Sequence, residues 1–331
     1  MIQSPLSRLC EKIIGKSLYR LLRWICYPLI QAKTKYTNRE RTISPGSKNP
    51  GKTFYVIRRK ESNAGLFSYL MTILGHLKTA EKRNLIPVVD MMNYHNIYTH
   101  HSAQVNPWEL FFSQPSPYSL SDVYESHRVI LSNLADPIDG PPISMDFFNN
   151  VDGIRSYWKK IFDHYIQVRP HIKNEAKNRY RQLFSANDTV LGVLCRGSDY
   201  TVLQPHAHPV QPSLEQVKEE IILITTSYHC NRIFLATEDE SIYRQLKLFF
   251  GNTLQTSGSA YVNYSGKGHL FRSNETNKQS PVDIGQEYLM DMLMLSFCDC
   301  ILAGRTSGAM GVALMNDHFR YEKYWDLGQY K

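Results

Sequence analysis

The chain has 331 residues, 42% of them apolar, and a formal net charge of +8. That length exceeds what a single core usually serves and asks for two domains. Residues 1–52 hold eleven Lys/Arg against Glu11 and Glu40, which leaves the rest close to neutral; a basic tail on a neutral body fits a membrane surface or another polyanion and argues against a sequence-reading DNA protein.

The N-terminal stretch SLYRLLRWICYPLIQAK (17–33) is interrupted by Arg20 and Arg23 and is too short to span a bilayer. It lacks the small-residue cleavage site of a signal peptide. Aromatics and leucines mixed with Lys/Arg over 12–35 read as an amphipathic helix on an anionic leaflet, with a docking helix or a disordered arm as alternatives. Residues 36–52 read as a polar linker. Within it GSKNPGKT (46–53) matches the Walker A pattern, but a phosphate loop must follow a strand and open a helix. Here a strand-like run, FYVIR (54–58), comes after it, so the match is read as accidental.

From residue 54 the pattern is strand, helix, strand: FYVIR, an apolar stripe over 65–84, and IPVVDM (86–91). The loop KESNAG (60–65) and the group Asp90, Asn93 and Tyr94 would then share one rim of a sheet. Residues 95–150 give no clear periodicity. The stretch 151–184 is helical and broken near Pro170.

Beyond it, strand TVLGVLC (189–195) leads to a Pro- and His-containing loop, then to a helix from Ser213 with a capping box to Gln216. Strand RIFLA (232–236), a helix over 241–250, an irregular polar insertion (251–281), an apolar helix near 283–298, strand CILAG (300–304) and a helix from 307 follow. Strands alternating with helices predict a parallel, doubly wound sheet. The expected division is a basic tail and linker over 1–52, an acceptor-side α/β domain over 53–175 and a nucleotide-binding Rossmann-like domain over 176–331.

Ligands of open α/β sheets bind beyond the carboxyl ends of the strands, so three polar strand ends should converge. Arg196, followed by Gly197, Ser198 and Asp199, is a candidate phosphate clamp, with an Arg196–Asp199 ion pair as the plainer alternative. Thr306, Ser307 and Gly308 open a helix, where backbone N–H groups and hydroxyls bind anions or simply cap. Thr237, Glu238 and Asp239 suit ribose hydroxyls or helix capping. Asp291 lies among Met290, Met292, Leu293 and Met294, where a buried carboxylate needs a partner; a guanine edge with two N–H donors, or an internal network, would serve. His206 and His208 are placed to move a proton or to line a loop. Six scattered cysteines (Cys10, Cys26, Cys195, Cys230, Cys298 and Cys300) read as reduced thiols of a cytosolic protein, and no metal site is expected from Cys298-Asp299-Cys300 or the His pair.

With these segments in view, residues 53–331 resemble the fucosyltransferase superfamily of α1,6-, nodulation and protein O-fucosyltransferases, especially bacterial members of polysaccharide gene clusters. Arg196–Asp199 is similar to its first motif, Thr237–Asp239 to the second, and Asp291 with Asp299, Thr306 and Ser307 to the third. The resemblance implies a GT-B fold, two Rossmann-like domains facing across a cleft. It also implies an inverting, metal-independent transfer of fucose from GDP-fucose to a glycan hydroxyl, with no cofactor. Arg196 would hold the β-phosphate, Asp291 would read guanine, and Thr306 and Ser307 would contact phosphate. Asn63, Ala64 and Gly65 would close over the donor, with Asp90 and Asn93 on the sugar and acceptor side.

Two departures stand out: Leu194 replaces a motif histidine, and Gln204 falls where some members carry a glutamate base. His206 and Asp90 are the remaining candidates for that role. The expected setting is surface-polysaccharide synthesis in the cytoplasm, peripheral at the inner face of the membrane, on a glycan or lipid-linked oligosaccharide and with no nucleic acid as partner. A non-catalytic nucleotide-sugar-binding module, a transferase using another GDP-hexose, and a polyanion-binding protein working through its tail are the rivals.

Overall fold

The computed structural model describes residues 38–59, 64–99, 105–134, 139–197, 204–259, 261 and 280–331. The expected amphipathic helix over 12–35, the loop residue Asn63 and Asp199 lie outside them.

Two sheets organise the chain. The first is built from β1 (Arg41–Ile43), β2 (Phe54–Ile57), β3 (Ile86–Val89) and β4 (Val129–Leu131), in the order β1-β4-β2-β3. β2 pairs in parallel with β3 and β4, while β1 closes the edge antiparallel to β4. Helix α1 (Leu66–Lys82) crosses from β2 to β3 and buries Leu66, Leu70, Ile73, Leu74 and Leu77, the stripe that a 3.6-residue period places on one face. The short helices α2 (Leu120–Tyr124) and α3 (Met145–Phe148) occupy the stretch where the sequence is silent.

β1 corrects the linker reading. Arg41, Thr42 and Ile43 pair with Leu131, Ile130 and Val129, and the backbone of Gly46 and Lys48 donates to the Ser126 and Glu125 carbonyls at 3.2 and 2.9 Å. A β-carbon on Gly46 would stand 2.1 Å from the Glu125 carbonyl oxygen. The Walker-like glycine therefore serves a close backbone approach, and the segment does not open a helix.

Helices α4 (Ile154–Tyr165) and α5 (Pro170–Leu183) separate at Pro170 as the sequence indicates. The second sheet runs β7-β6-β5-β8-β9, all parallel, from β5 (Val190–Leu194), β6 (Arg232–Ala236), β7 (Leu254–Gln255), β8 (Cys300–Gly304) and β9 (Tyr321–Trp325). Helix α6 (Leu214–Tyr228), with its Ser213/Gln216 capping box, and α7 (Glu240–Phe250) cover one face through Val217, Ile221, Ile224 and Leu246. Helices α8 (Pro281–Ser296) and α9 (Ser307–Met315) cover the other.

That second face is continuous with the core of the first unit: Phe67, Tyr98 and Phe111 share one apolar cluster with Leu289, Met310 and Ile301. Contact is tight enough to demand glycine twice. A β-carbon on Gly311 of α9 would lie 2.1 Å from the Phe67 ring, and one on Gly285 of α8 would lie 2.8 Å from the Tyr98 ring. Arg155 reaches across to Glu322 with both Nη atoms, and Lys159 Nζ donates to the Leu314 carbonyl at 3.1 Å. No helix among the described residues is long and apolar enough to cross a membrane.

Candidate functional site

In the second sheet, β5 is the first strand in sequence. The chain steps outward on one side to β6 and β7 and on the other to β8 and β9, so the order reverses between β5 and β8. In open α/β sheets such a switch point, beyond the carboxyl ends of the strands, is where ligands bind. Here it is flanked by Arg196-Gly197 after β5 and Arg305-Thr306-Ser307 after β8, with Thr237-Glu238-Asp239 one strand away.

Arg196 is paired with Glu238, and the Asp199 that the sequence offers as its partner lies outside the described residues. Arg196 Nε lies 3.4 Å from Glu238 Oε1, with both side chains about five-sixths buried (17% and 16% exposed). The same carboxylate oxygen accepts from Gly197 N–H at 3.2 Å. Glu238 thus sits on the arginine and the backbone donor of the clamp, where ribose contact had been expected of it.

Asp239 proves to be the N-cap of α7, accepting from Ser241 and Ile242 N–H at 2.9 and 3.2 Å, and Thr237 Oγ1 accepts from Asp239 N–H. A β-carbon on Gly197 would stand 2.6 Å from Asp239 Oδ2, so this glycine admits a protein carboxylate. Burial, with Glu238 and Asp239 nearby, pushes the Cys195 thiol up to about 12, which removes it as a nucleophile.

At the other flank Thr306 is buried and caps α9, its Oγ1 accepting from Ala309 N–H at 3.1 Å. Ser307 is half-buried in the first turn. A β-carbon on Gly308 would stand 2.2 Å from the Tyr288 hydroxyl, so this glycine admits α8.

Asp291, on α8, is 7% exposed and its Oδ1 has no hydrogen-bond partner. Desolvation raises its pKa to about 7, opposed by the Ser257 and Ser259 hydroxyls, with the Glu287 charge adding to the rise. Glu287, one turn earlier, is held by Arg179 at 2.8 and 3.3 Å and accepts from Ser259 Oγ at 3.2 Å. Tyr261, stacked on Tyr243 at 4.6 Å, closes the same corner. The serines carried no signal in the sequence, because the polar insertion that supplies Ser257, Ser259 and Tyr261 has no period, and Glu287 of α8 acquires its place only through Arg179, distant in the chain.

Other expected residues fall elsewhere. Asp299 is at the amino end of β8, where Oδ2 accepts from Val190 N–H at 2.8 Å, at the opposite end of the strand from Arg305. Asp90 accepts from Met92 N–H, Asn93 N–H, Asn93 Nδ2 and the Tyr124 hydroxyl. With four donors on two oxygens it is a turn-forming carboxylate, and Asn93 is one of its partners. Gly65 is exposed at the N-cap of α1 with open space around it.

His206 and His208 are exposed in a loop tied to the C-terminus, Ala207 N–H donating to the Tyr330 carbonyl and Tyr330 N–H to that of His208. Among the described residues no cluster of three or more His, Cys, Asp or Glu could hold a metal ion. Cys195, Cys230, Cys298 and Cys300 are buried free thiols.

The sequence reading passed over Arg305, although it follows CILAG directly as Arg196 follows its own strand. It is 9% exposed, pairs with Asp326 at 2.8 Å and donates through Nη2 to the Gly328 carbonyl at 3.1 Å, while its Nε has no partner. Beside it, Gln211 Oε1 is a buried acceptor with no donor.

The fold and site define a class: an α/β protein of two parallel-strand units on a shared core, with cations and a helix N-terminus at a topological switch point. No family model matches the sequence, and no curated protein matches it. Solved structures with a similar fold include fucosyltransferase NodZ from Bradyrhizobium, at 15% identity and a TM-score of 0.49, covering 80% of this chain and 94% of that one. NodZ α1,6-fucosyltransferase soaked with GDP-fucose matches at 15% identity and a TM-score of 0.45 over 80% and 93%. POFUT1 in complex with GDP-fucose matches at 11% identity and 0.47 over 84% and 99%.

Proposed function

We propose that the chain is a GT-B glycosyltransferase that moves fucose from GDP-fucose to a hydroxyl of a glycan acceptor in surface-polysaccharide synthesis. The observation that carries this reading is the placement, on the two sides of the switch point, of two features suited to an anion, Arg196 after β5 and the Thr306-capped start of α9 after β8. Asp291 supports the choice of nucleotide, because a buried carboxylate oxygen lacking a donor suits the two N–H groups of a guanine edge. The motif resemblance directs the sugar to fucose.

In this mechanism the acceptor oxygen attacks the anomeric carbon as the bond from that carbon to the β-phosphate oxygen breaks. Its electron pair leaves with GDP, and the configuration inverts. Arg196 and the α9 amides hold the charge that grows on the phosphate, which supplies the leaving-group stabilisation without a metal. The acceptor proton passes to the exposed imidazole of His206, which precedes α6 on the loop after Arg196. The acceptor is a lipid-linked oligosaccharide at the inner membrane face, met through the basic segment 12–35.

Transfer assayed with GDP-fucose, together with calorimetry against GDP and UDP, tests the reading. Tight GDP, weak UDP and loss of transfer in Arg196→Ala are expected. Hydrolysis of GDP-fucose and transfer both absent with GDP still bound would favour a binding module, and equal affinity for UDP would refute the guanine assignment.

A further inference from the structure

A nucleoside diphosphate sugar carries two negative charges on its phosphates, and the departing nucleoside diphosphate carries a third. Arg196 alone cannot balance these, because Glu238 lies against it in an equally buried position and neutralises it. We infer that Arg305 is the second cation of the diphosphate site, an assignment that rests on the nucleotide-sugar reading above. β5 and β8 are parallel neighbours with Leu194 opposite Ala303, and Arg196 and Arg305 each come two residues later. The two guanidinium side chains therefore issue from matching steps on the two strands that flank the switch point.

Arg305 is the less neutralised of the pair. Its side chain is 10% exposed, but its carboxylate partner Asp326 is 56% exposed, so water weakens the hold of Asp326 on the guanidinium charge. Two of its donor contacts are accounted for through Nη2, to Gly328 and Asp326, while the buried Nε–H has no acceptor. A buried guanidinium N–H is rarely left unpaired without a ligand to take it. The next residue, Thr306, caps α9, so one anion between the strands can accept from Arg305 Nε and from the free amides of the α9 first turn together. Planar, always charged and rich in donors, Arg305 has the chemistry that phosphate oxygens select.

Calorimetry on the full chain with GDP and with guanosine separates a phosphate contact from a structural one. Arg305→Gln should weaken GDP by roughly 10- to 100-fold, the range of a lost charge-assisted hydrogen bond, and leave guanosine within about 3-fold. Arg305→Lys should recover part of the loss, and Asp326→Asn should leave GDP binding as tight or tighter. Parallel weakening of GDP and guanosine, or no change in either, would overturn the assignment and make Arg305 a strap for the C-terminus. Should Arg305→Gln fail to fold, weaker GDP binding by Asp326→Asn would overturn it equally. Wild-type protein that binds neither GDP nor inorganic pyrophosphate would instead refute the nucleotide reading, and this role with it.

Discussion

Replacing Asp291 with asparagine should make the protein more stable at alkaline pH while removing its recognition of guanine. Burial raises the Asp291 carboxyl from 3.8 to about 7, and each pH unit corresponds to about 1.36 kcal/mol, so ionising it in the fold costs about 4 kcal/mol as an upper figure.

The sign follows from the direction of the shift. A folded-state pKa above the unfolded one gives stability that is fully present below about pH 4 and is lost as pH rises through about 7. Wild type should therefore weaken between pH 4 and 7, and Asp291→Asn, which cannot ionise, should lack that decline. Urea unfolding of both proteins near pH 4 and near pH 8 reads the difference: near zero at the lower pH and as much as about 4 kcal/mol in favour of the variant at the higher. Guanine donors stabilise the ionised form, so GDP should bind wild type better as pH rises through 7 and bind the variant weakly throughout. A variant no more stable than wild type near pH 8, or a wild-type stability flat across this interval, would refute the claim that Asp291 is a desolvated, partner-short carboxylate.

Arg196→Gln should reduce GDP-fucose turnover by two orders of magnitude or more, as expected when a charge-stabilising donor is lost, and should cost about 1–3 kcal/mol of stability because Glu238 is left buried without its cation; steady-state kinetics beside thermal unfolding separates the two effects. Gly311→Ala drives a β-carbon to 2.1 Å from Phe67, and overpacking of that kind costs about 1–3 kcal/mol, measurable as a lower midpoint in urea. Truncation tests of the basic arm should stop at residue 37: deleting 1–37 should leave GDP affinity unchanged in calorimetry, whereas deleting 1–50 also removes β1 and its pairing with β4 and should lower stability as well. On the proposed role of His206 as proton acceptor, His206→Ala should lower the rate of transfer with little change in GDP affinity, and steady-state kinetics beside calorimetry separates the two.

Much of the second unit is legible in the sequence. Buried parallel strands such as RIFLA and CILAG are short continuous apolar runs, and residues 232–236 and 300–304 are strands as expected. The Ser213 capping box marks a helix start through local hydrogen bonds alone. β1 is not legible, because RTI becomes a strand only by pairing with residues almost ninety positions away, and α3 and β4 depend equally on partners distant in the chain.

The site divides along the same line. That polar groups follow β5, β6 and β8, and that a carboxylate is embedded in the apolar run of α8, is written in the order of residues, since strand alternation and helix periodicity are local. Which carboxylate meets which cation is decided by strand order. β6 lies beside β5 and so presents Glu238 to Arg196, while β9 lies beside β8 and presents Asp326 to Arg305. Asp299 and Asp90 look like site carboxylates in sequence; in the fold Asp299 accepts from a backbone N–H and Asp90 from two backbone N–H groups, Asn93 Nδ2 and the Tyr124 hydroxyl, because hydrogen-bond satisfaction is a property of what lies within about 3 Å in space. The sequence determines that arginines and hydroxyls stand at the strand ends; only the tertiary structure decides which carboxylates meet those cations.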